Sequence, residues 1–468
     1  MSDARTCIIG AGSSGIIAAQ VLAADGVDFD CFEMGSGVGG NWRYENDNGV
    51  SSAYRSLHIN TSREAMEYAA YPMPTSYPDY PSHWQIADYF DAFVDRFGLR
   101  ERITFRTEVT KVDPSPGGGY DVTIRSRDSS WIERAPSSVE RDPSSVERDP
   151  SSVERSRDQT RHYEHVLVAN GHHWDPRWPE PAFPGSEDFP GEQLHAHHYR
   201  TPEVFAGKRV VVLGIGNSAC DIAVESSRHA RATYLAMRRG AWVIPKYLFG
   251  VPTDHLTDSP LARGPVRLQK LGMRTMLRIA VGKMTDYGLP APDHDVLEAH
   301  PTVSDDLLSR LGHGDITVKP SVARFEGSTV HFTDGSTVEA DVVVYCTGYK
   351  ITFPFLDEGV LRTDDNHVDL YRRVVAPDRP GLYFIGLVQP LGAVMPLAEA
   401  QAHWVSDLIR GRVTLPPPAE MRQQIASYDD ALRKRFVASK RHTIEVDFHA
   451  YRAEVERERQ QRRALATR

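Results

Sequence analysis

Two copies of one supersecondary signature, separated by some 200 residues, limit the fold more than any other feature of the chain. Near the start runs TCIIGAGSSGIIAAQVLAADGVDFDCFEM, and later KRVVVLGIGNSACDIAVESSRHARATYLAMRRG. Each reads as a short apolar strand, a glycine turn, a helix rich in small and apolar residues, and a second strand. A parallel strand pair joined by a helix is a βαβ unit, and a glycine turn between the first strand and the helix is the dinucleotide-binding form of it. The predicted fold class is therefore α/β, with two Rossmann-like dinucleotide-binding domains.

The first loop is Gly10-Ala11-Gly12-Ser13-Ser14-Gly15. Gly10 permits the tight turn, Gly12 lets a pyrophosphate reach the backbone at the helix N-terminus, and Gly15 allows the helix to pack close. Glu33 ends the next strand, where a carboxylate can accept from a ribose hydroxyl pair. The second loop, Gly214-Ile-Gly216-Asn-Ser218-Ala219, has alanine in the third place. At the position of Glu33 it has Arg238, which cannot accept a hydroxyl but can pair with a 2′-phosphate. One site expects a dinucleotide without the extra phosphate and the other expects NADPH. FAD and NADPH in one chain imply hydride transfer from nicotinamide to flavin.

Composition removes other classes. The 63 acidic residues outnumber the 54 basic ones, for a net charge of -9, and no long basic block offers a nucleic-acid surface. The chain enters its first strand almost at once, leaving no room for a secretory leader, and no apolar run reaches the ~18 residues of a membrane span. The expectation is a cytoplasmic protein without a membrane anchor. Cys7, Cys31, Cys220 and Cys346 are scattered with no CxxC, which argues against a dithiol reductase.

The expected organisation is a first part of the FAD domain over 1–173, an inserted NADPH domain over 174–336, and the rest of the FAD domain with C-terminal helices over 337–468. ADVVVYCTGY adds an apolar strand, and LYFIGLVQPLGAVMPLAEAQAHWVSDLI a strand, a loop and a helix. From Pro416 the tail reads as polar helix. Three near-copies of a seven-residue unit, APSSVERDPSSVERDPSSVER, fill 135–155. Seven is the coiled-coil period, but a proline in each copy breaks the helix. The segment to 157 is read as a flexible expansion of a β-hairpin loop.

FPGEQLHAHHYR places His195, His197 and His198 within four positions. Zinc would want further ligands at suitable spacing, and none is evident, so no metal is expected.

Several stretches together resemble the flavin-containing monooxygenases, class B flavoproteins that oxygenate soft nitrogen and sulfur. They are FDCFEMGSGVGGNWRY, YRSLHINTSREAMEYAAYPMP, LVANGHHWDPRWP, VVYCTGYKITFPFL and the FxGxxxHxxxY pattern on Phe189, Gly191, His195 and Tyr199. The resemblance covers nearly the whole chain and is greatest to the animal-type branch. It implies NADPH reduction of FAD, addition of oxygen at flavin C4a to give a hydroperoxyflavin, and transfer of one oxygen atom to a small amine or thioether. Baeyer-Villiger oxygenation of ketones and release of H2O2 by an NADPH oxidase are the alternatives.

For the residues, the resemblance implies Asn60 as the catalytic side chain beside flavin and nicotinamide, flanked by Ile59 and Thr61. As a neutral donor and acceptor it could hold an oxygen adduct without protonating it; capping of a helix in TSREAMEYAA is the structural alternative. Gly40, Asn41 and Trp42 are placed by the flavin, Ser218, Ala219, Cys220 and Asp221 by the NADP pyrophosphate or ribose, and Gln389 near the flavin ring. His195 is expected between the two domains, with His197 and His198 on the surface. Substrate and O2 are the expected partners, and a homodimer is compatible with the sequence.

Overall fold

The computed structural model describes residues 5–127, 158–257, 266–361, 363–364, 366–435 and 443–466. Strand β1 (Thr6–Ile9), helix α1 (Ser13–Ala24) and strand β2 (Phe29–Phe32) form the first βαβ unit. β1 pairs in parallel with β2 on one side and with His165–Val168 on the other. Leu382–Phe384 and Ile103–Thr104 complete a five-stranded sheet. Side chains of a strand alternate between faces, and both faces are buried here. Ile8, Cys31 and Leu167 enter one core, while Cys7, Ile9, Phe32, Val166 and Val168 enter another. Helix α1 buries Ile16, Ile17 and Leu22 and packs on the helix Met395–Ile409. Each such side chain contributes about 1.5–3 kcal/mol when removed from water.

The second unit repeats the plan with Arg209–Leu213, the helix Asn217–His229 and Ala232–Ala236. Its parallel sheet runs Ile316–Lys319, Ala232–Ala236, Arg209–Leu213, Val342–Tyr345, Glu192–His195. Val210, Val212, Val342 and Val344 face one core, and Val211, Leu213, Val343 and Tyr345 the other. The strand Val342–Tyr345 thus pairs with Arg209–Leu213, not with the first sheet. A boundary at 337 would cut this sheet, so the chain returns to the first unit only after Tyr345. Four consecutive buried residues read alike in either sheet, and pairing alone decides between them.

Tyr120–Ser126 and Gln159–Tyr163 pair antiparallel from Tyr120↔Tyr163 to Ile124↔Gln159, which makes them the two arms of a hairpin. The repeat segment 135–157 between them lies outside the described residues. In the tail, Pro418–Arg435 and Phe448–Ala466 are helices, as their composition predicts. Between them Glu445–Val446 pairs in parallel with Gln389–Pro390 and brings the C-terminal segment back to the first unit.

Candidate active site

Both glycine loops open into one cleft of about 1980 Å³. That is about twice the upper end for a single small-ligand pocket, room enough for more than one large ligand. Gly10, Gly12, Ser13 and Ser14 reach it from the first unit, and Gly214, Gly216, Ser218, Ala219 and Asp221 from the second. Glu33, Gly40, Asn41, Trp42, Asn60, Thr61, Arg238 and Gln389 also line it. Ala11, Cys220 and Ile59 are buried behind the wall, so their side chains support the site rather than face a ligand, and Gly15 is buried within α1.

The first loop is built around absent side chains. Gly10 has φ +95°, and a Cβ there would lie 2.8 Å from the Ala169 carbonyl oxygen. A Cβ on Gly15 would lie 1.9 Å from the Gly10 carbonyl oxygen. Gly12 and Gly40 face each other as bare backbone, and a Cβ on Gly40 would stand 3.2 Å from the Gly12 Cα. Gly12 caps α1 without any side-chain hydrogen bond, which leaves the first amides of the helix able to hold an anion. Behind the loop, Glu33 is 4% exposed; its Oε2 accepts from the Ala11 amide at 2.7 Å and its Oε1 from the Gly35 amide at 2.8 Å. Burial pushes its pKa up, and the two amide hydrogen bonds oppose the shift. With two amides and the Asn48 side chain as donors, the carboxylate that fixes the loop keeps a lone pair to accept from a ribose.

The second loop has the same backbone and a more open rim. Gly214 has φ +129°, with a hypothetical Cβ 2.8 Å from the Cys346 carbonyl oxygen. Gly216 caps its helix with no side-chain hydrogen bond. Ala219 is fully buried, so the third position tolerates a methyl group. The Thr302 hydroxyl donates to the Ile215 carbonyl at 2.8 Å, and the Val303 amide to Asn217 Oδ1 at 2.7 Å. Arg239 lies 3.6 Å from Asp293, while Arg238 stands exposed at the lip of the cleft.

Between the loops, residues 59–62 of the first unit are held by the second. Lys246 Nζ donates to the Ile59 carbonyl at 3.0 Å, and the Ser62 amide to Asp254 Oδ2 at 2.6 Å. Burial holds the Lys246 pKa below its ordinary value. The helix that follows is Arg63–Met66 with Ser62 at its N-cap, so Asn60 does not cap it. Asn60 is partly buried and lines the cleft. Asn41 Oδ1 accepts from the Ser52 amide at 2.6 Å and hydroxyl at 2.9 Å, which fixes the turn Gly40–Trp42. Trp42 is half in the cleft and half packed on the first core.

Tyr54 of the first unit donates its hydroxyl to Asp221 of the second. Burial pushes the Asp221 pKa up to about 6, against the Tyr54 hydrogen bond and the nearby Lys246 charge, which lower it. Sequence reading named Asp221 but missed Tyr54 and Lys246, because no local pattern links positions so far apart. The histidine motif acts at the same seam. His195 is fully buried and its Nδ1 accepts from the His197 amide at 3.0 Å. Burial holds its pKa down to about 4. His197, expected on the surface, is 5% exposed and its pKa is held down to about 3 by burial; His198 is exposed as expected. Tyr199 donates to Glu225, and Arg200 spans the units by donating to the Ser51 carbonyl at 2.8 Å.

The sequence matches the flavin-binding monooxygenase-like family over residues 3–130 and 138–465. The chain belongs to the flavin-containing monooxygenase family. It is 36% identical over 465 residues to flavin-containing monooxygenase 5 of Oryctolagus cuniculus, covering 96% of this chain and 81% of that protein. It is 32% identical to dimethylaniline monooxygenase [N-oxide-forming] 2 of Rattus norvegicus, with 96% and 81% covered. Among solved structures, S-allyl-L-cysteine S-oxygenase of Allium sativum aligns with TM-score 0.69 and 25% identity over 99% of this chain and 91% of that one. This flavin-containing monooxygenase is an NADPH-dependent oxidoreductase that uses FAD, O2 and a small-molecule substrate. No helix among its described residues is long and apolar enough to cross a membrane.

Proposed function

We propose that this monooxygenase transfers one oxygen atom from O2 to the nitrogen or sulfur of a small amine or thioether. The observation that carries the reading is Asn60. Its side chain lines the cleft shared by both glycine loops, on a segment pinned by Lys246 and Asp254, with no hydrogen-bond partner among the described residues. Bound FAD, once reduced by NADPH, supplies the point at which O2 is activated.

The bare Gly12 and Gly40 backbone, the uncapped α1 and Glu33 fit a dinucleotide in the first site, and there they would hold FAD. Gly214, Gly216, Ser218 and exposed Arg238 fit NADPH in the second. Tyr54 and Asp221 hold the two sites in register, and Asn41 keeps the turn beside Gly12 in place. Asn60 would donate its amide hydrogens to oxygen near the flavin without supplying an acidic proton, which disfavours loss of oxygen as peroxide.

The test is NADPH consumption with a tertiary amine, a thioether or a ketone, with products identified and H2O2 counted. N-oxide or sulfoxide matching NADPH consumed is the expected result. An ester would support Baeyer-Villiger chemistry, and peroxide alone an oxidase. Asn60→Ala should keep NADPH oxidation and divert most of it to H2O2.

A further inference from the structure

Glu445 is wholly buried, and neither carboxylate oxygen has a hydrogen-bond partner among the described residues. A buried carboxylate without partners is costly unless a hydrogen-bond donor or a cation lies close. Among the described residues, the group within ion-pair range is His300, whose Nδ1 is 3.6 Å from Glu445 Oε1 and is itself buried without a hydrogen-bond partner. The His300 side chain is 18% exposed and lines the cleft. With Nδ1 turned inward to Glu445, the cleft side of the ring carries Nε2. The strand Glu445–Val446 pairs with Gln389–Pro390, so the buried acid is anchored directly behind the cleft wall formed by Gln389 and Ile444.

The described charged groups on the segments flanking the pair are engaged elsewhere. On the His300 segment, Asp293 meets His294 at 2.9 Å and Arg239 at 3.6 Å, Asp295 meets Arg274 at 3.8 Å, and Glu298 meets Lys270 at 2.5 Å. Beyond Glu445, Asp447 accepts from the Ala450 amide. From Pro418–Arg435, Tyr428 donates to the Glu445 carbonyl, and Arg373, stacked on Tyr428, pairs with Asp429.

We propose that His300, oriented by Glu445, is the base that deprotonates cationic amine substrates in the cleft. The inference rests on the N-oxygenation reading. Only a free lone pair on nitrogen is nucleophilic, and aliphatic amines are cations at neutral pH. The substrate N–H bond breaks, a bond to His300 Nε2 forms, and the positive charge moves onto the imidazolium beside the Glu445 carboxylate. No electrons change hands in this step, and the proton is later consumed when the second oxygen atom of O2 leaves as water. Separation just beyond hydrogen-bond length is common in a ligand-free site and closes on binding. Glu445 is a positioning residue: its carboxylate takes the Nδ1–H of His300, so that Nε2 faces the cleft as acceptor.

The test compares N,N-dimethylbenzylamine, cationic at neutral pH, with N,N-dimethylaniline, which is not, in the FAD-loaded wild type and Glu445→Gln. At pH 7 the variant should lose about 100-fold in kcat/KM for the benzylamine. The deficit should fade toward pH 9, and the aniline should be oxidised as before. Equal losses for both amines, no loss, or a pH-independent loss would overturn the proposal. Imidazole 15N spectra give a second readout that needs no turnover. The signal absent from His300→Gln should show the Nδ1–H form in wild type and the Nε2–H form in Glu445→Met; an unchanged form would refute the assignment. A wild type that consumes NADPH but oxygenates neither amine, nor thioanisole, counts against the proposed function, while the 15N spectra still decide on the pair.

Discussion

The two dinucleotide units share a topology and a backbone turn, yet differ in how much of each site the protein itself fills. In the first, Glu33 is buried and bonded to the loop it serves, and Gly15 is wedged against Gly10 with no space for a methyl group. In the second, Ala219 already carries that methyl group and Arg238 is exposed. A closed, self-bonded site suits a cofactor that stays, and an open rim with an uncommitted cation suits one that exchanges. On the proposed assignment of FAD to the first site and NADPH to the second, the same signature serves a prosthetic group and a cosubstrate, and the difference lies in a few side chains around the turn.

Substitutions can break this comparison. Gly15→Val should abolish FAD retention and destabilise the first unit, because the Cβ would overlap the Gly10 carbonyl; Ala219→Gly in the second loop should cost no more than about 1 kcal/mol. Flavin absorbance per protein after gel filtration reads both. Asp221→Asn should stabilise the cofactor-free protein by up to about 3 kcal/mol above pH 6. The raised Asp221 pKa, about 6 against an ordinary 3.8, means that the folded state binds the proton more tightly. Its contribution to stability is full below about pH 4 and is lost as pH rises through 6. Urea midpoints between pH 4 and 7.5 should show a gap from wild type that opens over this window; a constant gap would contradict the shift.

Glu33→Gln should cost about 2 kcal/mol and speed FAD loss, since one loop amide would then face an NH2 group. Dissociation of FAD in dilute urea measures it. Arg238→Ala should raise the NADPH KM about 10-fold and leave that for NADH unchanged, as expected for the loss of one exposed charge-assisted contact. Equal effects on both nucleotides would show that Arg238 does not read the 2′-phosphate.

Much of this architecture is legible without coordinates, because strand, glycine turn, helix and terminal acid or base lie within about 30 contiguous residues. Glu33 and Arg238 could be found by counting from the turn. The Asn60 segment came from resemblance, and its alternative as a helix cap fell only when the helix was seen to begin at Arg63. His197 misled because a polar residue in a loop-like stretch reads as exposed, whereas the chain turns there between two domains.

The sequence by itself determined the two strand, glycine turn and helix units and the opposite charges that end their second strands, since these depend on local backbone geometry and on one residue at a fixed offset. Only the tertiary structure decided that Val342–Tyr345 joins the second sheet, that Tyr54 meets Asp221, that Lys246 holds Ile59, and that Glu445 lies buried behind His300. Each of these joins positions more than 130 residues apart. No periodicity or spacing records such a contact, because it forms only when segments distant in the chain are brought together by the fold.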